Sequence, residues 1–370
     1  MRFPASRPPR FEFSDADWKA ALYYLDRNQM ALLARHCLGD ALPEAVRQRL
    51  DRDYAINRER HRRIQEIYAE VSHIFAARGL RWTMLKGLAG VEDYYADPAS
   101  RVQYDLDLYC PELPEEAQAA LIDAGFRAAA GESASTDHLP PVSRESGWKW
   151  RGDFFDPEIP IAIEVHFRLW DEDTERFGVP GLEHFWERRS GDLFHPADAL
   201  GYKALHLLRH LLRGEFRAAH LYEIAWFLDR HAGDRAFWTT WRALHAPELR
   251  RLETIAFELA HRWFEPRMPG ELEPLSAGIR GWLRDSWDAP LRSHFQPNKD
   301  ELWLHLQLVT GARDQVRILR RRLLPGTLPR TPLGSRSEQL RYLAGRAAFH
   351  FRSLLSAIAS AQKYKGSTRQ

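Results

Sequence analysis

The amino-acid sequence predicts an α+β fold, with the strands confined to one segment and helices on both sides of it. Short apolar runs typical of strands occur between residues 80 and 168, whereas apolar residues recur at helical spacing before and after that segment. A pair of carboxylates lies inside one of the runs, in Tyr104-Asp-Leu-Asp-Leu-Tyr109. Because successive side chains of a strand point to opposite faces, Asp105 and Asp107 are expected to project from the same face.

The composition is that of a folded protein large enough for two domains. The chain has 370 residues, of which 44% are hydrophobic, with 13 Trp and 19 Phe, and these supply a sizeable core. Its 53 Lys and Arg nearly balance its 51 Asp and Glu, so the formal charge is +2. A net charge this small does not indicate a polyanionic partner, and nucleic-acid binding would require a local basic patch.

Cysteine usage and hydropathy predict a cytoplasmic protein. The two cysteines, Cys37 and Cys110, are far apart and belong to no CxxC or Cys/His cluster, so they predict neither a disulfide framework nor a metal site. The N-terminal residues contain no apolar leader region, and no run approaches the roughly 18 apolar residues of a membrane span. Secretion and membrane insertion are therefore not expected.

The N-terminal part of the chain is predicted to be an irregular arm followed by helices. Residues 1–13 are rich in Pro and Arg and form the arm, and residues 14–79 form a helical lead-in. The first helix is expected to begin at Ser14, whose hydroxyl can cap it. A second helix is expected over residues 45–78, with Gly79 ending it.

The central segment, residues 80–195, is the predicted catalytic core. It contains four strand-like runs, at 80–85, 102–110, 148–155 and 159–168. Helices are predicted at 88–95 and 115–124. A loop rich in Ser, Pro, Gly and charge separates the second helix from the third strand, at about 131–147.

The C-terminal part is predicted to be helical throughout. Residues 196–312 form a helical domain, with apolar residues at helical spacing over 197–212 and 218–231. Residues 313–370 form a basic extension that a Pro- and Gly-rich stretch interrupts. Its basic run, Arg317 to Arg322, would contact nucleic acid or acidic lipid, or would simply be a solvated helix face.

Three pieces of the core indicate metal-dependent phosphoryl transfer. Asp105 and Asp107 repel each other and need a cation, and their hard oxygen ligands suit Mg²⁺, with Mn²⁺ as the alternative. Glu164, flanked by apolar residues on a later strand, would complete the metal site or accept a proton from the acceptor hydroxyl. Lys86 and Gly87, at a strand-to-helix turn, would bind the phosphates of a nucleotide.

Two further residues are candidates for the same site. Arg101 lies four residues before Asp105 and would bind the same nucleotide phosphates. His166 shares a strand face with Glu164, so it is either a substrate contact or proton carrier, or a half-buried structural histidine. A separate pair, His206 and His210, has spacing that permits a shared metal, but a structural or surface role is the simpler interpretation.

The motifs of this segment resemble those of the uncharacterised bacterial nucleotidyltransferase family of the DNA polymerase beta superfamily. The resemblance is carried by Met84-Leu-Lys-Gly87, by Tyr94 or Tyr95, by Arg101-Val-Gln-Tyr-Asp-Leu-Asp-Leu108, by Ala124-Gly-Phe126, and by Ile163-Glu-Val-His166 with Arg168. It extends to the upstream helices with Asn57 and Arg58 and to the downstream segment with Trp226 and Asp229, so it covers roughly residues 15–265. It implies a minimal nucleotidyltransferase core, a short mixed sheet flanked by helices, that binds Mg²⁺ and a nucleoside triphosphate such as ATP.

The sequence departs from the wider superfamily at the phosphate turn. Gly87 is followed by Leu88, where the superfamily usually has Gly-Ser or Gly-Gly, so a hydroxyl contact to phosphate is missing. Tyr104 is a second departure, because the superfamily often has small residues just before the first Asp. Tyr104 would either narrow the nucleotide pocket or only pack against neighbouring side chains.

The predicted reaction is transfer of a nucleoside monophosphate from a nucleoside triphosphate to an acceptor, with release of pyrophosphate. In this prediction Asp105, Asp107 and Glu164 are the catalytic and metal-binding residues, and Lys86, Gly87, Arg101 and His166 bind the nucleotide. The acceptor, a small molecule, a protein or an RNA, cannot be read from the residues. The alternatives are a non-catalytic binding or regulatory protein of the same fold, and an RNA-directed nucleotidyltransferase of toxin–antitoxin type.

Overall fold

The computed structural model describes residues 11–128, 136–296, 298–324 and 335–367, without the side chains of 362–367. Most of the predicted arm, part of the predicted 131–147 loop and the Pro- and Gly-rich stretch at 325–332 lie outside the described residues. Two compact units are distinguished. Unit 1 consists of Met1–Asp171, Val179–His206 and Arg217–Leu272, and unit 2 of Glu172–Gly178, Leu207–Phe216 and Glu273–Gln370. The five-part division predicted from the sequence stays a prediction.

Helices make up most of the described chain. They are, in order, α1 Asp15–Arg27, α2 Ala31–Leu38, α3 Glu44–Ala77, α4 Val91–Tyr94, α5 Pro114–Asp123, α6 Glu172–Glu175, α7 Glu183–Glu187, α8 Pro196–Arg213, α9 Ala218–His231, α10 Arg235–Leu244, α11 Pro247–Phe264, α12 Ala277–Asp285, α13 Ala289–Arg292, α14 Glu301–Leu308, α15 Ala312–Leu323 and α16 Arg336–Ser367. Short 3₁₀ turns occur at Gly39–Ala41 and Pro98–Ser100.

The predicted N-terminal helix signals are confirmed. The hydroxyl of Ser14 accepts a hydrogen bond from the Asp17 amide, and the Asp17 carboxylate accepts one from the Ser14 amide, which is a complete capping box. The long helix α3 ends at Ala77, and Gly79 follows with φ +64°, a left-handed conformation that favours glycine.

A five-stranded mixed sheet confirms the predicted α+β class for the described residues. Its strands are β1 Thr83–Met84, β2 Asp105–Tyr109, β3 Arg127–Ala128, β4 Val142–Ser143 and β5 Ala162–His166, and their order across the sheet is β1-β2-β5-β4-β3. The two longest strands, β2 and β5, are parallel neighbours, whereas the other pairs are antiparallel. In their register Asp107 lies opposite Glu164, and Tyr109 lies opposite His166.

The strand predicted at residues 148–155 is wrong. No strand is assigned there, and the outer part of the sheet is formed by β3 and β4 instead. The aspartates of this segment explain the difference, since Asp153 accepts a hydrogen bond from the Phe155 amide and Asp156 accepts one from the Glu158 amide, both at 2.9 Å. Side chains that bond to nearby backbone amides in this way favour turns over a strand ladder.

The sheet of unit 1 packs its apolar face against helices. Leu106 and Leu108 of β2 and Ile163 and Val165 of β5 are buried in a core with residues of α3 and α5. Since side chains alternate along a strand, burial of these apolar residues sends Asp105, Asp107, Glu164 and His166 to the opposite face. The hydrophobic pattern of the two strands therefore brings the carboxylates together.

Unit 2 has a core of its own, in which Leu302, Val309 and Ile318 are buried. The carboxylate of Glu175 in α6 is also buried, and the Arg213 Nε donates to it at 2.6 Å. His305 lies beside it and bonds to the Glu175 carbonyl oxygen at 2.8 Å. No helix in the described parts of the chain combines the length and the hydropathy needed to cross a bilayer.

Candidate active site

The segment that enters β2 is held by two buried side chains of α3. The Asn57 amide donates to the carbonyl oxygens of Ala99 and Arg101, at 2.7 and 2.9 Å. The Arg60 Nε donates to the Gln103 carbonyl oxygen at 2.8 Å, and its Nη1 donates to the carbonyl of Ile159, before β5. One helix therefore fixes the starts of both acid-bearing strands.

Position 87 requires glycine for two reasons, the backbone conformation and the close approach of the Gln103 side chain. Its φ of +82° lies in the left-handed region, where a side chain is strained, and a Cβ there would collide with the side-chain amide of Gln103. That amide donates to the Asp105 carbonyl oxygen at 2.6 Å. The turn after β1 thus lies directly against the start of β2.

Asp107 is the most deeply buried acid of the site, with 1% of its side chain exposed. Its Oδ1 lies 3.2 Å from His166 Nε2. Its Oδ2 lies 3.3 Å from Lys86 Nζ and makes no hydrogen bond. Burial alone would raise the pKa of Asp107, but Lys86 and His166 outweigh it and hold this pKa well below its usual range. Asp107 is therefore ionised at neutral pH.

Asp105 is more accessible, and its pKa is shifted in the opposite direction. Its side chain is 29% exposed and its Oδ2 lies 3.9 Å from Lys86 Nζ. Burial and the charge of Asp107 raise the pKa of Asp105. Lys86 also lies near His206, with 3.3 Å between Nζ and Nε2. Burial opposes the charge of Lys86, but the three nearby acids outweigh it and raise its pKa, so Lys86 is a cation inside an acidic cluster.

Glu164 and His166 complete the cluster on β5. His166 Nε2 lies 3.4 Å from Glu164 Oε2, and 23% of the Glu164 side chain is exposed. Burial lowers the pKa of His166, but its bonds to Asp107 and Glu164 prevail and raise it to about 9. His166 is therefore a protonated donor that holds two carboxylates at neutral pH.

The side chains fit a divalent cation. Asp107 and Glu164 each offer a carboxylate oxygen, and His166 Nε2 lies with these atoms within 4.8 Å, where as a protonated donor it orients the two carboxylates. The buried Asp107 Oδ2 lacks a hydrogen bond, as expected for an oxygen that a cation would bind. Asp105, a predicted ligand, lies outside this group, whereas His166, predicted as a nucleotide contact, lies within it.

The structure also places a second charged cluster beside Arg101. Arg101 Nε donates to Glu223 Oε1 at 2.8 Å, and Lys203 Nζ donates to Glu223 Oε2 at 2.6 Å. The Lys203 ammonium lies 4.1 Å from the centre of the Tyr94 ring. Burial disfavours the charge of Glu223, but the two cations lower its pKa to about 2. The cluster therefore holds two buried cations against one anion, and Arg101 Nη1 is buried without a hydrogen-bond partner.

Sequence reasoning missed Lys203 and Glu223. The available signal was weak, because each is only a charged residue flanked by apolar residues on a helix. Lys203 lies between Tyr202 and Ala204, and Glu223 lies between Tyr222 and Ile224. A charge at a buried helix position needs a partner. The identity of that partner, Arg101, is visible only once the helices have packed.

The comparisons with known proteins point in the same direction as this geometry. A family model described as an uncharacterised nucleotidyltransferase matches residues 14–265. That range includes every residue of the site described above. Comparison with curated proteins found no match, and comparison with solved structures found none either.

Proposed function

Because the chain belongs to the uncharacterised nucleotidyltransferase family, we propose that it transfers a nucleoside monophosphate from a nucleoside triphosphate to an acceptor and releases pyrophosphate. The observation that carries the proposal is the meeting of Asp107, Glu164 and His166 beside the Lys86-Gly87 turn. A buried acid with an unbonded oxygen and two partly exposed acids, next to a lysine, are suited to a metal and a polyphosphate.

The carboxylates would hold the metal. Asp107 and Glu164, with Asp105 at the more exposed edge, offer the oxygen ligands that Mg²⁺ or Mn²⁺ prefers. When bound, the cation would neutralise the phosphates and polarise the attacking and leaving oxygens. His166, whose pKa of about 9 makes it a donor, would orient Asp107 and Glu164 instead of supplying a nitrogen ligand to Mg²⁺.

The triphosphate would be bound by the turn and by Arg101. The Gly87 turn positions Lys86, whose ammonium group would shift from the acids to a phosphate oxygen. Arg101 keeps one guanidinium nitrogen, Nη1, without a partner while Glu223 holds Nε. A buried guanidinium nitrogen without a hydrogen-bond partner would be satisfied by a phosphate oxygen that enters beside it.

Asp105 would act on the acceptor. It is the acid with a raised pKa and with 29% of its side chain exposed. A general base needs to reach the acceptor hydroxyl and to have a pKa raised toward neutrality. In the proposed step the hydroxyl proton passes to Asp105 as the acceptor oxygen bonds to the α-phosphorus and the bond to pyrophosphate breaks.

The proposal is tested by nucleotide binding and turnover. Each of the four ribonucleoside triphosphates, labelled, is titrated with Mg²⁺ into the wild type, into the double variant Asp105→Asn with Asp107→Asn, and into Asp123→Asn. Asp123 is a matched control because it is an exposed aspartate paired with Arg78 on the surface. We expect Mg²⁺-dependent binding of at least one triphosphate, a loss of at least about tenfold in the double variant and no change in the control.

Turnover identifies the acceptor. Incubation with mixed triphosphates and a cell extract should release pyrophosphate and leave a nucleotide-sized mass increment on one class of molecule. A wild type that binds no triphosphate, together with a double variant that behaves identically, would refute the proposal.

A further inference from the structure

Unit 2 contains a strongly basic region that the charge of the whole chain conceals. Residues 273–370 carry seventeen Lys and Arg against seven Asp and Glu, although the formal charge of the entire chain is only +2. Such an asymmetry indicates an anionic partner for the basic part. The reaction proposed above makes no use of this region.

The basic residues of α15 line a cavity of about 600 Å³ in unit 2. Four arginines contribute to its wall: Arg317, Arg320 and Arg321 from α15, and Arg176 from the end of α6. None of the described residues that line it is a carboxylate. The cavity is therefore a concave site of positive charge with no internal counterion.

Packing within unit 2 holds α15 in place beside α6. Ile318 is 1% exposed and belongs to the core of the unit. Arg321 donates through Nη1 to the Thr174 carbonyl oxygen, which joins α15 to α6. Arg176 follows α6 with φ +65°, a left-handed conformation that non-glycine residues rarely adopt. The cationic wall is thus built from two elements and is more than a run of charges on one helix.

Two of the arginines have no counterion of their own. Arg317 lies 3.2 Å from Asp314 of the same helix. Within the described chain Arg176 and Arg320 form no ion pair, and no side-chain hydrogen bond is made by either. A guanidinium has five donors in a planar fork that fits phosphate oxygens, so these two are available to an incoming anion.

The cationic lining continues beyond this cavity. A second cavity of about 510 Å³ shares Thr174 and Arg321 with the first. Cations outnumber anions in its wall, which also contains Arg213, Lys299 and Arg322 against Glu215 and Glu301. Its wall also includes Asn298, whose amide suits a sugar or a base. Two adjoining cavities provide room for more than one phosphate group.

We propose that the two adjoining cavities of unit 2 bind the phosphate backbone of a single-stranded nucleic acid. The proposal is independent of nucleotidyl transfer, because it depends on the arginines of α6 and α15 and not on the acids of the sheet. Phosphodiester oxygens are the ligands that unpaired arginines bind best, and a chain of them matches a basic wall longer than one cavity.

The test is binding of fluorescein-labelled single-stranded RNA and DNA of twelve nucleotides, followed by anisotropy from 50 to 200 mM salt. The double variant Arg176→Ala with Arg320→Ala is compared with Arg284→Ala with Arg341→Ala. The control removes the same charge from exposed residues of the same unit, outside the cavities. The variant Asp107→Asn is measured in parallel and is expected to bind as the wild type does.

We expect Arg176→Ala with Arg320→Ala to lose at least about tenfold in affinity. The slope of log affinity against log salt concentration should become shallower by about 1.4, which corresponds to two phosphate contacts on a single strand. The control should lose less than about threefold. Equal losses in both double variants would overturn the proposal, because they would show a diffuse field instead of a site. The proposal would also be overturned if tripolyphosphate competed as strongly, per molecule, as the unlabelled oligonucleotide. Binding to anionic phosphatidylserine vesicles without binding to either oligonucleotide would overturn it too.

Discussion

Two buried histidines of unit 1 lie between pairs of carboxylates, and the comparison between them separates a structural network from a candidate catalytic one. His245 bonds to Glu253 through Nδ1 at 2.9 Å and to Asp198 through Nε2 at 3.0 Å. His166 has an equivalent arrangement with Asp107 and Glu164. In both cases burial opposes protonation, the carboxylates prevail, and the pKa is raised to about 9.

The two networks differ in how completely their atoms are bonded. Around His245, Arg188 donates twice to Asp198 and Trp241 donates to Glu253, so both acids have further partners. Around His166, the Asp107 Oδ2 and the His166 Nδ1 make no hydrogen bond. A raised pKa therefore does not by itself identify a functional histidine. Incomplete hydrogen bonding, combined with partial exposure of a neighbouring acid, is a better indication of a functional histidine.

The largest expected effect comes from breaking the complete network. His245→Ala would leave Asp198 and Glu253 buried without their shared cation, and removal of one partner from a buried ionic network costs about 3–5 kcal/mol. The free energy of unfolding, measured by urea denaturation at pH 7, should fall by that amount. A loss below about 1 kcal/mol would show that the network is not structural.

The pH dependence of stability should report the same network. The pKa of His245 in the folded protein, about 9, is above its ordinary value of 6.5, so the folded state binds the proton more tightly. This stabilisation is complete below about pH 6.5 and is lost as pH rises through 9, amounting to about 3 kcal/mol. Urea unfolding from pH 6 to 9.5 should show the decline, and His245→Gln should remove about half of it, because His166 has the same raised pKa. An unchanged slope in the variant would contradict the assignment.

A smaller effect is expected beside the candidate site. Glu223→Gln removes the anion that holds Arg101 and Lys203, so Arg101 would be less well positioned for phosphate. Once the triphosphate is identified, its Kd should rise about tenfold, equivalent to about 1.4 kcal/mol, while Glu223→Asp restores part of the affinity. Equal binding by the wild type and Glu223→Gln would show that this cluster only supports the fold.

The smallest effect should come from removing the central acid of the site. Asp107→Asn removes the anion that Lys86 and His166 hold, and its lowered pKa means that this charge stabilises the fold. The free energy of unfolding at pH 7 should therefore fall, but by less than the roughly 3–5 kcal/mol expected for His245→Ala, because Asp105 and Glu164 remain beside the two cations. The same denaturation experiment that destabilises the His245 variant provides the measurement. A loss of about 3 kcal/mol or more would place Asp107 in the structural class with Glu253.

Much of the sheet segment was predictable because it depends on local patterns. The apolar alternation of β2 and β5 identified both strands, and the spacing of Asp105 and Asp107 predicted a shared face. The strand at 148–155 was predicted wrongly because local Asp-to-backbone bonds override a hydrophobic pattern. β3 and β4 were missed, since strands of two residues leave no periodicity to detect.

The sequence by itself determined the α+β class, the acids of β2 and β5 and the glycine turn at Gly87, because alternation, capping and positive φ are local consequences of residue type. Only the tertiary structure decided which charges meet. The pairing of Arg101 with Glu223, and of Asp107 with His166, joins residues 122 and 59 positions apart. The packing of helices and strands decides which charged groups meet. A buried charge needs a partner, and only groups that packing brings close can neutralise it.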